Sequence, residues 1–88
     1  MNRKMKKKIL IADDTLPLRV MMEEVLTDAG YEVIGASDGK IAWEILNSCN
    51  FNLDLVILDL LMPGMSGFEV LSQLKKQLPQ RKFPILVI

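Results

Sequence analysis

Asp13, Asp14 and Asp59 are the residues of this 88-residue sequence whose type and placement could do chemistry. Asp13 and Asp14 follow directly on the apolar run Ile9 to Ala12, and Asp59 follows directly on Leu55-Val56-Ile57-Leu58. In open parallel sheets, ligands bind beyond the carboxyl ends of the strands, where strand order reverses. If the first and third strands are neighbours, the three carboxylates converge there. Bringing them together unpaired is unfavourable because like charges repel. A hard divalent cation with oxygen ligands relieves the conflict, and magnesium fits best because it keeps several waters and partners phosphate. A lone aspartate at a strand end is more often a turn former or a helix cap. The adjacent pair alone leaves both readings open. The pair together with Asp59 points to a cation site.

The elements that must position these acids alternate along the chain. Lys8 to Asp13 reads as a buried strand, a short apolar run ending in carboxylates. Leu18, Met21, Met22, Val25, Leu26 and Ala29 then share one helical face, with Pro17 in the first turn and Gly30 placed to stop the helix. Tyr31 to Ala36 is a second strand. Ser37-Asp38-Gly39 is a turn able to cap a helix that carries Ile41, Ala42, Ile45, Leu46 and Cys49 on one face. Asp54 to Asp59 is a third strand, apolar enough to be covered on both sides. After a loop from Leu60 to Ser66, the Ser66 and Glu69 spacing is that of a capping box, and Phe68, Leu71, Leu74 and Leu78 give the following helix an apolar face. Pro84 to Ile88 opens a fourth strand. The alternation predicts an α/β fold with a parallel sheet and right-handed crossovers.

Composition narrows the chemistry. The length suits one small domain. There is no histidine and a single cysteine, Cys49, which excludes Cys/His zinc sites, histidine-based triads and an internal disulfide. No apolar run approaches the roughly 20 residues of a membrane span, and the start lacks the long apolar region of a signal peptide, so a cytoplasmic protein is expected. Net charge is zero, yet Arg3, Lys4, Lys6, Lys7 and Lys8 carry five of the eleven positive charges. From Ile9 onward six basic residues face eleven acidic ones, a balance of −5 that argues against nucleic acid as the main partner. The basic lead-in could touch nucleic acid or lipid, but a solvated tail over residues 1–7 ahead of a domain at 8–88 is the simpler expectation. Met21 and Met22 read as core packing, Cys49 as an inert thiol on an apolar face, and Trp43 as half-buried against a neighbouring loop.

The segments "KILIADDT" and "DLVILDLLMPGMSGFEVL" resemble the first-strand and third-strand motifs of response regulator receiver domains, the CheY-like family. The second is the more specific: strand, Asp, two residues, Met-Pro, then Gly opening a helix. The resemblance runs from about Lys7 to Ile88. It implies a doubly wound, flavodoxin-like sheet of order 2-1-3-4(-5). It implies that Asp59 is a phosphoacceptor, charged from a phosphohistidine on a histidine kinase or phosphotransfer protein in a two-component phosphorelay. Magnesium would be bound directly by Asp14, Asp59 and the backbone carbonyl of Leu61, with Asp13 acting through water. Met62, Pro63 and Gly64 would shape the loop around the phosphoryl group. A downstream output domain or target protein would be a further partner.

Family members place a Ser or Thr just after the fourth strand and a Lys at the end of a fifth. Both positions fall beyond Ile88, so the chain reads as a receiver incomplete at its C-terminus, without the last strand and last two helices. Two other functions compete. One is a receiver-like interaction module that does not switch. The other is an aspartyl-phosphate phosphatase with Asp13 as nucleophile, although such enzymes typically show Asp-x-Asp and here the acids are adjacent.

Overall fold

A computed structural model describes residues 6–49, 52–77 and 83–88. Its elements run β1 (Lys8–Ala12), α1 (Leu16–Asp28), β2 (Glu32–Ala36), α2 (Gly39–Ser48), β3 (Leu55–Leu58), α3 (Gly67–Gln77) and β4 (Ile85–Val87). Each expected element is present. The first and third strands end one residue before their acids, which places Asp13 and Asp59 in the loops that follow. Leu78, expected on the face of the third helix, and Met1 to Met5 of the basic tail lie outside the described residues.

The strands form one sheet of order β2-β1-β3-β4, and each neighbouring pair is parallel. That is the expected doubly wound order. Two apolar layers cover its faces. On one side Leu10, Ala12, Ala36, Val56 and Leu58 pack with Ala42 and Leu46 of α2 and Val70 and Leu74 of α3. On the other, Met22 and Leu26 of α1 pack against Ile9, Ile11 and Ile57. The strand pattern explains the split, because successive side chains point to opposite faces and an unbroken apolar run serves both.

Local chemistry sets the helix ends. Pro17 lies in the first turn of α1. Its far end closes as a Schellman motif: Gly30 sits at φ +100, its N–H donates to the Thr27 carbonyl at 3.0 Å, and the Tyr31 N–H donates to the Leu26 carbonyl at 3.1 Å. Asp38 caps α2 by accepting from the Ile41 N–H at 2.8 Å. The capping box before α3 is formed in both directions, with Glu69 N–H to Ser66 Oγ at 3.2 Å and Ser66 N–H to Glu69 Oε1 at 3.3 Å.

Two helix faces differ from expectation. In α3, Val70 is buried and Phe68 is exposed. Gly67 is the cause: it presses on the backbone of Asp59 and Leu60, and the residues three and seven further on, Val70 and Leu74, must then face inward. In α1 no residue is fully buried. Leu18, Met21 and Val25, expected on the buried face, are exposed, because Ile9, Ile11 and Ile57 form too narrow a strip to cover the whole apolar face. Cys49 is half-buried, its thiol donating to the Leu46 carbonyl at 3.5 Å. Trp43 is half-buried against the α2/α3 core cluster.

Candidate metal and phosphoacceptor site

The sheet ladder itself delivers the acids. Ala12 is in register with Leu58 and with Ala36. The ladder then continues past the strand ends: the Asp59 N–H donates to the Ala12 carbonyl at 2.9 Å, and the Asp13 N–H donates to the Ala36 carbonyl at 3.0 Å. Asp13 and Asp59 are thereby held on adjacent strand ends, with Asp14 next along the chain. One carboxylate oxygen from each of Asp13, Asp14 and Asp59 lies within 4.8 Å of the others. Their environments form a gradient: Asp13 is buried, Asp59 half-buried and Asp14 exposed.

Among the described residues, each buried polar group of the site has a defined neighbour, with one exception. Asp13 Oδ1 accepts from the Thr15 N–H at 2.8 Å. The Asp13 carbonyl accepts from Arg19 Nη1 at 2.6 Å. Asp59 Oδ1 accepts from the Leu61 N–H at 3.0 Å. Asp13 is only 1% exposed, yet no protein group among the described residues donates to its Oδ2. A buried, undonated carboxylate oxygen is costly, and two unit charges about 4 Å apart repel by about 4 kcal/mol even at an effective dielectric of about 20. A small hard cation answers both. Magnesium binds oxygen at about 2.0–2.1 Å and so holds opposed ligands about 4 Å apart, and it retains waters on any open side. The donor set fits it: oxygen only, clustered within 4.8 Å, and open to solvent at Asp14.

The loop after Asp59 is clamped from both ends. Met62 is buried, Pro63 and Leu61 are exposed, and Gly64 sits at φ +67. The Gly67 N–H donates to the Leu60 carbonyl at 3.1 Å. At the other side of the loop, a Cβ on Gly39 would land on the Met65 carbonyl, so α2 begins in close contact with the loop. Met62, Pro63 and Gly64 thus lie where the loop must turn. The clamping glycines, Gly39 and Gly67, and the hold of Arg19 on Asp13 escape sequence reasoning. Each depends on a contact between segments distant in sequence or on a carbonyl direction, neither of which spacing encodes.

A parallel α/β sheet with an acidic pocket at its switch point defines the class of molecule, and comparison with known proteins specifies it. The chain belongs to the response regulator receiver domain family, whose model matches residues 9–88. It is 46% identical over 69 residues to the uncharacterized transcriptional regulatory protein YrkP of Bacillus subtilis, an alignment that covers 78% of this chain and 29% of that protein. Among solved structures it is similar to the chemotaxis protein CheY4 of Vibrio cholerae, with 36% identity, a TM-score of 0.83, and coverage of 94% of this chain and 68% of that one. It is also similar to the response regulator TrrA of Thermotoga maritima, solved in complex with Mg(2+)-BeF, with 40% identity, a TM-score of 0.78, and coverage of 92% and 69%. The chain therefore spans less than a third of that regulatory protein and about two thirds of each solved chain. Among the described residues, no helix is long and apolar enough to cross a membrane.

Proposed function

We propose that this receiver domain is a phosphoacceptor module of two-component signalling, with Asp59 as the acceptor. The donor is a phosphohistidine on a histidine kinase or phosphotransfer protein. An Asp59 carboxylate oxygen attacks phosphorus, the phosphorus–nitrogen bond breaks, and the leaving imidazole nitrogen takes up a proton. The product is an aspartyl phosphate. The Leu61 N–H orients one Asp59 oxygen, leaving the other for phosphorus. Asp14, Asp59 and the Leu61 carbonyl would hold magnesium directly and Asp13 would hold it through water. When bound, the ion neutralises charge gathering on the phosphoryl oxygens. The observation that carries this reading is the convergence of the three carboxylates within 4.8 Å around a buried oxygen that no protein group satisfies.

The competing readings have less support. Asp13 as the nucleophile of a phosphatase is disfavoured by its burial and by its bond to Thr15. A receiver that only binds partners would not need the acidic cluster. The proposed setting is the cytoplasm, with an output domain or target protein downstream and no direct contact of this domain with nucleic acid. The test is exposure to acetyl phosphate with and without magnesium, read by intact mass. A gain of one phosphoryl group only with the metal, and lost in Asp59→Asn, is expected. A gain that persists in Asp59→Asn or maps to Asp13 overturns the assignment, and no gain at all favours the non-switching module.

A further inference from the structure

Arg19 stands one helical turn into α1, outside the acidic cluster, yet its side chain is only 14% exposed. Its Nη1 donates to the Asp13 carbonyl at 2.6 Å. Its Nε lies 3.6 Å from Glu23 Oε2, one turn further along the helix. The pair lies across Gly35 of β2: a Cβ there would collide with the Glu23 carboxylate and come within 3.3 Å of Arg19 Cδ. The absent side chain at Gly35 makes the channel through which the guanidinium reaches back to the end of β1.

The carbonyl that Arg19 holds belongs to the peptide joining Asp13 to Asp14. Rotation of that peptide plane swings Asp14 relative to Asp13 while leaving the Asp13 N–H on Ala36 undisturbed. Thr15 fixes the Asp13 carboxylate, and the capping position of Thr15 fixes where α1 begins. Among the described residues, Arg19 is the side chain that fixes the intervening plane. Electrostatics alone makes this an odd place for a permanent cation, because a guanidinium bonded to the backbone of Asp13 competes at longer range with a metal bound by the acidic cluster. One guanidinium nitrogen donates to the carbonyl while Nε lies in ion-pair range of Glu23 at 3.6 Å, so the donated bond is held in place as well as made.

We propose that Arg19 is a positioning residue of the metal site: through the Asp13 carbonyl it sets the spacing of the Asp13 and Asp14 carboxylates, with Glu23 and Gly35 seating it. The proposal rests on the phosphoacceptor reading above and extends it to a residue that touches neither metal nor phosphoryl group.

Magnesium binding by the 88-residue chain, measured by calorimetry well below each variant's melting temperature, separates the possibilities. Arg19→Met is expected to bind magnesium roughly 10-fold more weakly, at the lower end of the roughly 10–100-fold losses seen when partners of metal ligands are removed. Arg19→Lys keeps the charge and one donor, and is expected to recover at least half of that loss on a logarithmic scale. Melting in the absence of metal checks that both variants are folded, a readout that a merely structural role would move while leaving the affinity of the folded fraction unchanged. An Arg19→Met affinity equal to that of the unaltered chain overturns the proposal, and so does a higher one, which is the result simple repulsion gives. A Lys variant no better than the Met variant also overturns it, because side-chain packing and not the donated bond would then be responsible. If the unaltered chain binds no magnesium, both this proposal and the phosphoacceptor reading fall. If it binds and Arg19→Met binds equally, only the role of Arg19 falls.

Discussion

Gly67 approaches Asp59 so closely that a Cβ at Gly67 would fall on the Asp59 carbonyl oxygen and within 2.7 Å of Leu60 Cα. The first residue of α3 is thereby fitted against the backbone of the proposed phosphoacceptor. Ala in place of Gly ordinarily favours a helix by roughly 1 kcal/mol. Overpacking ordinarily costs about 1–3 kcal/mol, and here the obstacle is backbone that cannot step aside. Sterics should win. Gly67→Ala is expected to lower the melting temperature and to slow modification of Asp59 by acetyl phosphate. A raised melting temperature with an unchanged rate would show that α3 can shift freely relative to Asp59.

Ser66 and Glu69 offer a local test of the same helix. Their reciprocal bonds satisfy backbone donors at the start of α3. Ser66→Ala removes the acceptor for the Glu69 N–H and should cost about 1 kcal/mol. For a domain of this size that is about 4–8 °C in melting temperature, measurable by circular dichroism. An unchanged melt would mean that α3 is held by Val70 and Leu74 alone.

Asp14 is the exposed member of the acidic cluster and a proposed direct ligand. Asp14→Ala should reduce magnesium affinity by at least the roughly 10–100-fold that loss of an outer partner costs. The apo protein should be no less stable, because three neighbouring charges become two. Calorimetric titration beside a melt in a chelator reads both. Unchanged affinity would remove Asp14 from the metal site.

The edge of the sheet makes a prediction about association. Leu86 on β4 is 51% exposed, and Val25 on α1 is 62% exposed. An apolar edge strand with unpaired backbone is a template for another chain. The chain in isolation should self-associate, seen by sedimentation velocity, and Leu86→Lys should shift it toward monomer. A monodisperse, cooperatively melting monomer would contradict this.

Much of the fold was legible because its signals are local. Unbroken apolar runs announced parallel strands, and Ser66, Asp38 and Gly30 marked helix ends that form as their chemistry requires. The acids were legible because each directly follows a strand, and the ladder of backbone bonds carries that order into space. What could not be read depends on rotation and on contact at a distance. The inward turn of Val70 over Phe68 is set by Gly67 meeting Asp59. The exposure of Met21 and Val25 is set by how much sheet lies under α1, not by their own spacing. Arg19 reads as an ordinary charged residue on the solvent side of a helix until the Asp13 carbonyl is found at its tip.

The undonated oxygen of Asp13 has a consequence for how the chain reaches its native state. A ligand that binds the native pocket and not the disordered chain raises unfolding free energy by about 2.7 kcal/mol at a concentration about 100 times its dissociation constant. Domains of this kind have about 5–15 kcal/mol in total. With magnesium as that ligand, the ion would be a folding cofactor as well as a companion of the proposed reaction. Chevron analysis in the metal's presence would then show slower unfolding with little change in the refolding arm, since the pocket exists only once β1 and β3 have come into register.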